Sequence, residues 1–155
     1  MRLRLAAPVA ALITALVVAG CGGGSSSPTT TAGLSKSQFV AKGNQICAKG
    51  NQEINAAAKK VFSSSQEPSQ AAQNKFVTAT VIPGIQSQID GIKALPAPSG
   101  DEDQVNAITS AAQSALDKVK SDPTLLTQQS GTDPFAQANK LANAYGLTQC
   151  GGNNG

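Results

Sequence analysis

The three cysteines carry the most reactive side chains of this chain, and they stand at positions 21, 47 and 150 of its 155 residues. The chain contains no histidine. Nucleophiles that need an imidazole base are therefore excluded, and no set of Cys and His can hold zinc. Also missing are a Cys-x-x-Cys redox motif, a Ser-x-x-Lys motif and a glycine-rich phosphate loop. We therefore expect a protein that is not an enzyme and that has no cofactor and no metal site.

The start of the chain has the composition of an export signal. Arg2 and Arg4 make it basic, and residues 5–18 form an almost uninterrupted apolar run. This run is shorter than the roughly 20 residues that a membrane-spanning helix needs. We therefore interpret residues 1–20 as a signal peptide.

The apolar run ends in Val18-Ala19-Gly20-Cys21, which resembles the lipobox of bacterial lipoproteins. The resemblance implies cleavage between Gly20 and Cys21 and attachment of a diacylglyceryl group to the Cys21 thiol. Two acyl chains anchor a protein stably, whereas one binds only marginally. We therefore expect a lipid-anchored protein of the cell membrane, on its extracytoplasmic face. The alternative is an ordinary secretory signal that happens to precede a cysteine.

Composition divides the rest of the chain into three parts. Residues 21–33 hold the lipidated cysteine and a Gly/Ser/Thr-rich stretch that we interpret as a flexible tether. Residues 34–151 contain nearly all the remaining apolar side chains and are the predicted folded domain. Residues 152–155 are interpreted as a disordered tail.

Cys47 and Cys150 remain once Cys21 is assigned to lipid. Thiols outside the cytoplasm oxidise, so an even remainder predicts a disulfide. The core is sparse, with 25 large apolar side chains after residue 20. A bridge between Cys47 and Cys150 would close a loop that spans most of the domain. On the chain-entropy model, this closure would add about 4.7 kcal/mol to the free energy of unfolding.

Two segments with apolar residues at helical spacing occupy the first half of the domain. The first runs from Ser35, which forms a capping box with Gln38, to about Phe62. The second runs from Ser69 to Leu95 and should be kinked by its internal proline at position 83. A repeated Ala-Lys-Gly-Asn-Gln in the first segment places glycines 43 and 50 on one stripe. Either another helix packs closely there, or these are tolerant surface sites.

Two further helices are predicted in the second half. A Ser99–Glu102 capping box should begin the third, which Asp122 ends before a proline. Asp133 should cap the fourth, and Gly146 should end it with Leu147 as the hydrophobic partner. No segment alternates with period two, so the prediction is an all-α four-helix bundle. The side chains expected to face its core are Phe39, Val40, Ile46, Cys47, Ile54, Val61, Phe76, Ile82, Ile85, Ile89, Ile92, Val105, Ile108, Ala112, Leu116, Val119, Phe135, Ala138, Leu141 and Tyr145.

Residues 34–151 also resemble a group of uncharacterised small helical exported lipoproteins of high-GC Gram-positive bacteria. Three features carry the resemblance: Cys47 within the first helix, the turn at residues 95–102 (LPAPSGDE) and the Tyr-Gly-Leu-x-x-Cys-Gly ending at residues 145–151. The sequence departs from the group at Gly43 and Gly50, where Ala is more usual. The resemblance implies a helical fold and an envelope location and brings no activity with it.

The expected function is therefore a non-catalytic envelope lipoprotein that displays a helical domain for interaction with a protein or wall component. The alternative is a carrier or sensor of a small apolar ligand held between the helices. After the signal the chain has ten lysines against nine acidic residues and only five aromatic rings. Nucleic acid is not an expected partner.

Overall fold

The computed structural model describes residues 33–63, 67–127 and 132–152, and the regular secondary structure within them is entirely helical. This confirms the predicted all-α fold with four helices. None of the helices in these ranges is both long and apolar enough to cross a bilayer. The helical segments are Lys36–Val61 (first helix), Gln70–Phe76, Val77–Val81 and Ile82–Lys93 (together the second helix), Glu102–Ser121 (third helix), Pro123–Leu126 (a 3-10 turn) and Ala136–Tyr145 (fourth helix).

The first helix begins at the predicted capping box. The Gln38 backbone N–H donates to Ser35 Oγ at 3.2 Å, and the Ser35 N–H donates to Gln38 Oε1 at 3.0 Å. Two of the four orphan amides of the helix start are satisfied in this way. At the other end, Lys59 and Lys60 lie in the last turn, where positive charge complements the helix dipole. With 26 residues, this helix is about 39 Å long.

The second helix contains the predicted irregularity at Pro83. Residues Val77–Val81 form a π-helical turn, and the Ile82 N–H donates to the Val77 carbonyl, five residues back. A proline lacks the amide for an α-helical bond, and its ring crowds the carbonyl four residues earlier. The wider π turn one step before the proline relieves this crowding. Gly84 follows, and a Cβ there would lie 2.9 Å from Ile54 Cδ1 on the first helix.

The third helix begins differently from the prediction. Its N-cap residue is Asp101, whose side chain makes no capping hydrogen bond. The Glu102 carboxylate instead accepts from the Gly100 N–H at 2.7 Å, so the predicted box between Ser99 and Glu102 is wrong. The Asp101 carboxylate accepts a hydrogen bond from the Tyr145 hydroxyl instead of capping its own helix.

The fourth helix begins two residues after the predicted position. Asp133 Oδ1 accepts from the Phe135 N–H at 2.8 Å, which forms a turn before the helix proper. Its C-terminus is as predicted: Gly146 has φ +106, and the Leu147 N–H donates to the Ala142 carbonyl at 2.8 Å. This is the six-to-one bond of a Schellman ending, which places Leu147 back against the helix.

Most of the predicted inward positions are buried or partly buried, with Val61 an exception at 37% exposure. The sequence patterns did not single out the buried residues Val77, Thr109, Ala115 and Ala142. The central cluster consists of Phe39, Cys47, Ile92, Val105, Ile108, Ala142, Tyr145 and Leu147. The cluster joins all four helices to the chain that follows the last one.

Candidate functional site: an apolar cavity beside the disulfide

The structure brings together two of the predicted site residues. Cys47 and Cys150 form the predicted disulfide, with their Cα atoms 5.1 Å apart. Gly20 and Cys21 lie outside the described residues, so the cleavage and lipid-attachment sites stay predictions.

The chain after the fourth helix is fastened along the first helix. We call residues 146–150 the C-terminal strap. Asn44 Nδ2 donates to the Gly146 carbonyl at 3.0 Å, and Asn44 Oδ1 accepts from the Gln149 N–H at 3.0 Å. One repeat further on, Asn51 Nδ2 donates to the Gln149 carbonyl at 2.8 Å. These bonds satisfy backbone groups of a strap that has no regular secondary structure.

The internal repeat of the first helix therefore has a structural explanation. Its two asparagines flank Cys47 on one helical stripe, and all three side chains hold the strap. Gly43 lies beside them, and a Cβ there would be 2.5 Å from Leu147 Cδ2 and 3.0 Å from Ile92 Cδ1. Close packing thus accounts for Gly43. At Gly50, the atoms nearest to an added Cβ would all belong to the side chain of Gln88.

An apolar cavity of about 230 Å³ lies beside the disulfide. It is partly enclosed, and every helix contributes to its walls. The lining residues are Cys47, Asn51, Ile85, Gln88, Ile89, Ile92, Ile108, Thr109, Ala112, Asp133, Phe135, Ala138, Asn139, Ala142, Leu147 and Cys150. For comparison, an engineered apolar cavity of about 150 Å³ stays dry and binds benzene or xenon. The space is therefore large enough for a small organic molecule.

Four of the polar lining residues form two contacting pairs. We call Asn51, Gln88, Asp133 and Asn139 the polar rim. Asp133 Oδ2 accepts from Asn139 Nδ2 at 3.0 Å, and Gln88 Nε2 lies 3.5 Å from Asn51 Oδ1. Among the described lining residues, Asp133 alone is ionisable, and it is exposed. The fifth polar lining side chain, buried Thr109, donates its hydroxyl to backbone carbonyls of its own helix.

A second group of polar side chains is structural. The Tyr145 hydroxyl donates to Asp101 Oδ2 at 2.8 Å, and Lys36 Nζ lies 3.4 Å from the same oxygen. Lys36 Nζ is also 4.2 Å from the centroid of the Tyr145 ring, and Phe39 packs edge-on against that ring. Burial, and then the hydrogen bond to Asp101, raise the pKa of Tyr145 above its ordinary value. The group ties the ends of three helices together.

The surface between the second and third helices holds a solvated polar network. Asp117 Oδ1 accepts from Gln113 Nε2 at 3.0 Å and from Lys120 Nζ at 3.2 Å, and these bonds lower the pKa of the Asp117 carboxyl. Within the described ranges, no three His, Cys, Asp or Glu side chains could hold a metal ion together. The cavity is therefore the feature with the clearest capacity for binding.

Sequence reasoning raised a space between the helices only through the alternative ligand-carrier function, and it did not locate that space. It predicted the buried isoleucines that line it, but not that the fourth helix and the strap would leave space beside them. The available signal was the run of small residues on facing helices, Ala112, Ala138 and Ala142. Such residues are equally compatible with close packing, so they cannot distinguish a filled space from an open one.

No protein-family model matches this chain, and neither the curated proteins nor the solved structures include a significant match.

Proposed function

We propose that this protein is a non-catalytic lipoprotein of the cell envelope. A diacylglyceryl group on Cys21 anchors it to the extracytoplasmic face of the membrane, and its helical domain interacts there with an envelope protein or wall component. The observation that carries the proposal is the Cys47–Cys150 disulfide. Disulfides persist in oxidising compartments, which supports export. It also uses the other two cysteines and leaves Cys21 free for the thioether.

The test is intact mass and fractionation of the protein expressed in a bacterium with a lipoprotein pathway. Wild-type protein should gain the mass of a diacylglyceryl group, lose residues 1–20 and stay in the membrane fraction after a high-salt wash. Cys21→Ser should abolish the added mass and release the protein. The matched control is the double variant Cys47→Ser/Cys150→Ser, which keeps Cys21 and should stay membrane-bound. A Cys21→Ser protein held as firmly as the wild type would contradict the proposal.

The cavity favours a second candidate function, the carriage or sensing of a small apolar ligand. Its volume and largely apolar walls are typical of small-molecule sites. Native mass spectrometry of the Cys21→Ser protein, purified without detergent, should show bound mass. An apo mass alone, together with no binding of added benzene or xenon, would contradict this function.

A further inference from the structure

We propose that the cavity binds small apolar amines, with the hydrocarbon part between the helices and the ammonium group at Asp133. This inference rests on the second candidate function, that the cavity takes a ligand, and it specifies the ligand's chemistry. Three properties of the site carry it: its volume, its apolar wall and its single charge.

The volume and the wall define the apolar part of the ligand. Four isoleucines from the second and third helices line the space, and Ile89, Ile92 and Ile108 are each at most 7% exposed. If a cavity of about 150 Å³ takes the six carbons of benzene, one of about 230 Å³ takes roughly nine non-hydrogen atoms by proportion. A hydrocarbon group of that size would replace empty space by contacts, since an unfilled apolar void forfeits dispersion energy.

The polar rim defines the other end of the ligand. Asp133 Oδ1 accepts from the Phe135 N–H and Oδ2 from Asn139 Nδ2. An ionised carboxylate has about four acceptor sites, so each oxygen can accept a further hydrogen bond. The same two contacts hold the carboxylate in place at the start of the fourth helix. An ammonium group is attracted there and a ligand carboxylate is repelled.

The neutral rim side chains do not alter this preference. Asn51 and Gln88 approach each other across the rim, and their amides can donate to or accept from a ligand. They discriminate little between an amine, an alcohol and an acid. Charge selectivity therefore depends on Asp133.

The experiment compares three probes with the same hydrocarbon chain: octylamine, 1-octanol and octanoate. Dissociation constants are measured at neutral pH and low ionic strength by NMR titration of the Cys21→Ser protein, below the probes' aggregation concentrations. Because Asp133 is exposed, each charge effect is modest. We expect octylamine to bind about tenfold more tightly than octanoate, with octanol between them. The difference in affinity between octylamine and octanoate should shrink in about 0.5 M salt. Salt at this concentration screens exposed charges over a distance well below the roughly 10 Å that applies at about 0.1 M.

Asp133→Asn is the informative variant, because the asparagine Oδ1 can still accept from the Phe135 N–H and the fold should persist. It should reduce octylamine affinity to that of octanol. The matched control is Asp103→Asn, which removes the same charge from an exposed position outside the cavity and should leave all three affinities unchanged.

A second pair of variants locates the binding. Ala112→Phe should fill the cavity and abolish binding of all three probes, while Ala107→Phe on the exposed face of the same helix should not. If Ala112→Phe does not fold, as judged by circular dichroism, Ala112→Leu replaces it and should weaken binding at least several-fold. Shifts in wild type should be largest at the methyl groups of Ile85, Ile89 and Ile108.

The outcomes separate the two proposals. Equal binding of the three probes, or no response to Asp133→Asn, would overturn the amine assignment and leave a ligand-binding cavity. Tightest binding of octanoate would do the same. No binding of any probe, or binding that Ala112→Phe and Ala112→Leu leave unchanged, would overturn the cavity as a ligand site.

Discussion

At the scale of single residues, Tyr145 has the most contacts of different kinds. Its hydroxyl donates to Asp101 at the start of the third helix. Lys36 Nζ lies over its ring, and the ring forms a T-shaped pair with Phe39. The chain has no other tyrosine. A change at this one side chain can therefore be followed spectroscopically without interference.

Alkaline pH should destabilise the protein through Tyr145. Its folded-state pKa is raised above the ordinary value of 10.0, so the unfolded chain loses this proton first as the pH rises. The contribution of Tyr145 is therefore complete below pH 10 and is lost as the pH increases towards the folded-state pKa. Denaturant titrations between about pH 8 and pH 11 should show the free energy of unfolding falling.

Tyr145→Phe separates the contribution of the Tyr145 hydroxyl from every other effect of alkaline pH. The variant should lose about 1 kcal/mol at neutral pH with the hydroxyl's hydrogen bond. Its free energy of unfolding should also decrease less than that of the wild type as the pH rises above 10. An identical pH profile in both proteins would contradict the role assigned to the hydroxyl.

The two glycines of the internal repeat should respond differently to alanine. Ala in place of Gly favours a helix by about 1 kcal/mol. At Gly43 the new methyl would press on Leu147 and Ile92 in the core, and overpacking of this kind costs about 1–3 kcal/mol. At Gly50 the nearest atoms all belong to the partly exposed, flexible Gln88 side chain, which turns aside at lower cost than a packed core does.

Gly50→Ala should consequently be more stable than Gly43→Ala by about 1–3 kcal/mol, measured by denaturant unfolding. Equal stabilities would mean that the strap moves freely to accommodate the methyl. That result would contradict the close packing at Gly43.

At the scale of elements, helix ends could be predicted where the signals are local. Ser35 with Gln38, and Gly146 with Leu147, act within six residues, and both predictions are confirmed. The box at Ser99–Glu102 failed because the helix begins later, at an Asp101 that bonds to Tyr145 across the molecule, while Glu102 accepts from the Gly100 N–H. Local patterns do not contain such contacts. For the same reason, Pro83 indicated an irregular second helix but not its π-helical form.

The strap should open when its asparagine contacts are removed. Asn44→Ala deletes two hydrogen bonds and leaves the Gly146 carbonyl and the Gln149 N–H without these partners, which should cost about 1–3 kcal/mol. Hydrogen exchange at Gln149 should accelerate accordingly. Gln45→Ala, at the exposed neighbouring position, is the control and should change neither quantity. Unchanged protection in Asn44→Ala would show that the disulfide, the Asn51 bond and the buried Leu147 hold the strap without Asn44.

At the scale of the whole molecule, the disulfide compensates for a sparse core. Cysteines 103 positions apart close nearly the whole described domain into one loop. Replacing both by Ala should lower the free energy of unfolding by about 4–5 kcal/mol, observed as a shift in the denaturant midpoint. Reduction of the wild type by dithiothreitol should have the same effect. A change below about 1 kcal/mol would show that packing alone stabilises the fold.

The pairing of Cys47 with Cys150 could be predicted from the sequence, because the number of cysteines and the compartment expected from the export signal were sufficient. The cavity could not be predicted, because it depends on how the fourth helix and the C-terminal strap pack against the other three helices. Ala112 and Ala138 have the size that a tight interface requires, and only the three-dimensional arrangement shows that space remains beside them.

The covalent link also determines how the domain would behave under tension. A pull between its two ends travels from residue 33 along the first helix to Cys47, then crosses the sulfur–sulfur bond to Cys150. The second, third and fourth helices lie outside that route. Stretching a single oxidised molecule would therefore lengthen it only by the short stretches outside the bridge, whereas the reduced molecule could unravel along its full contour.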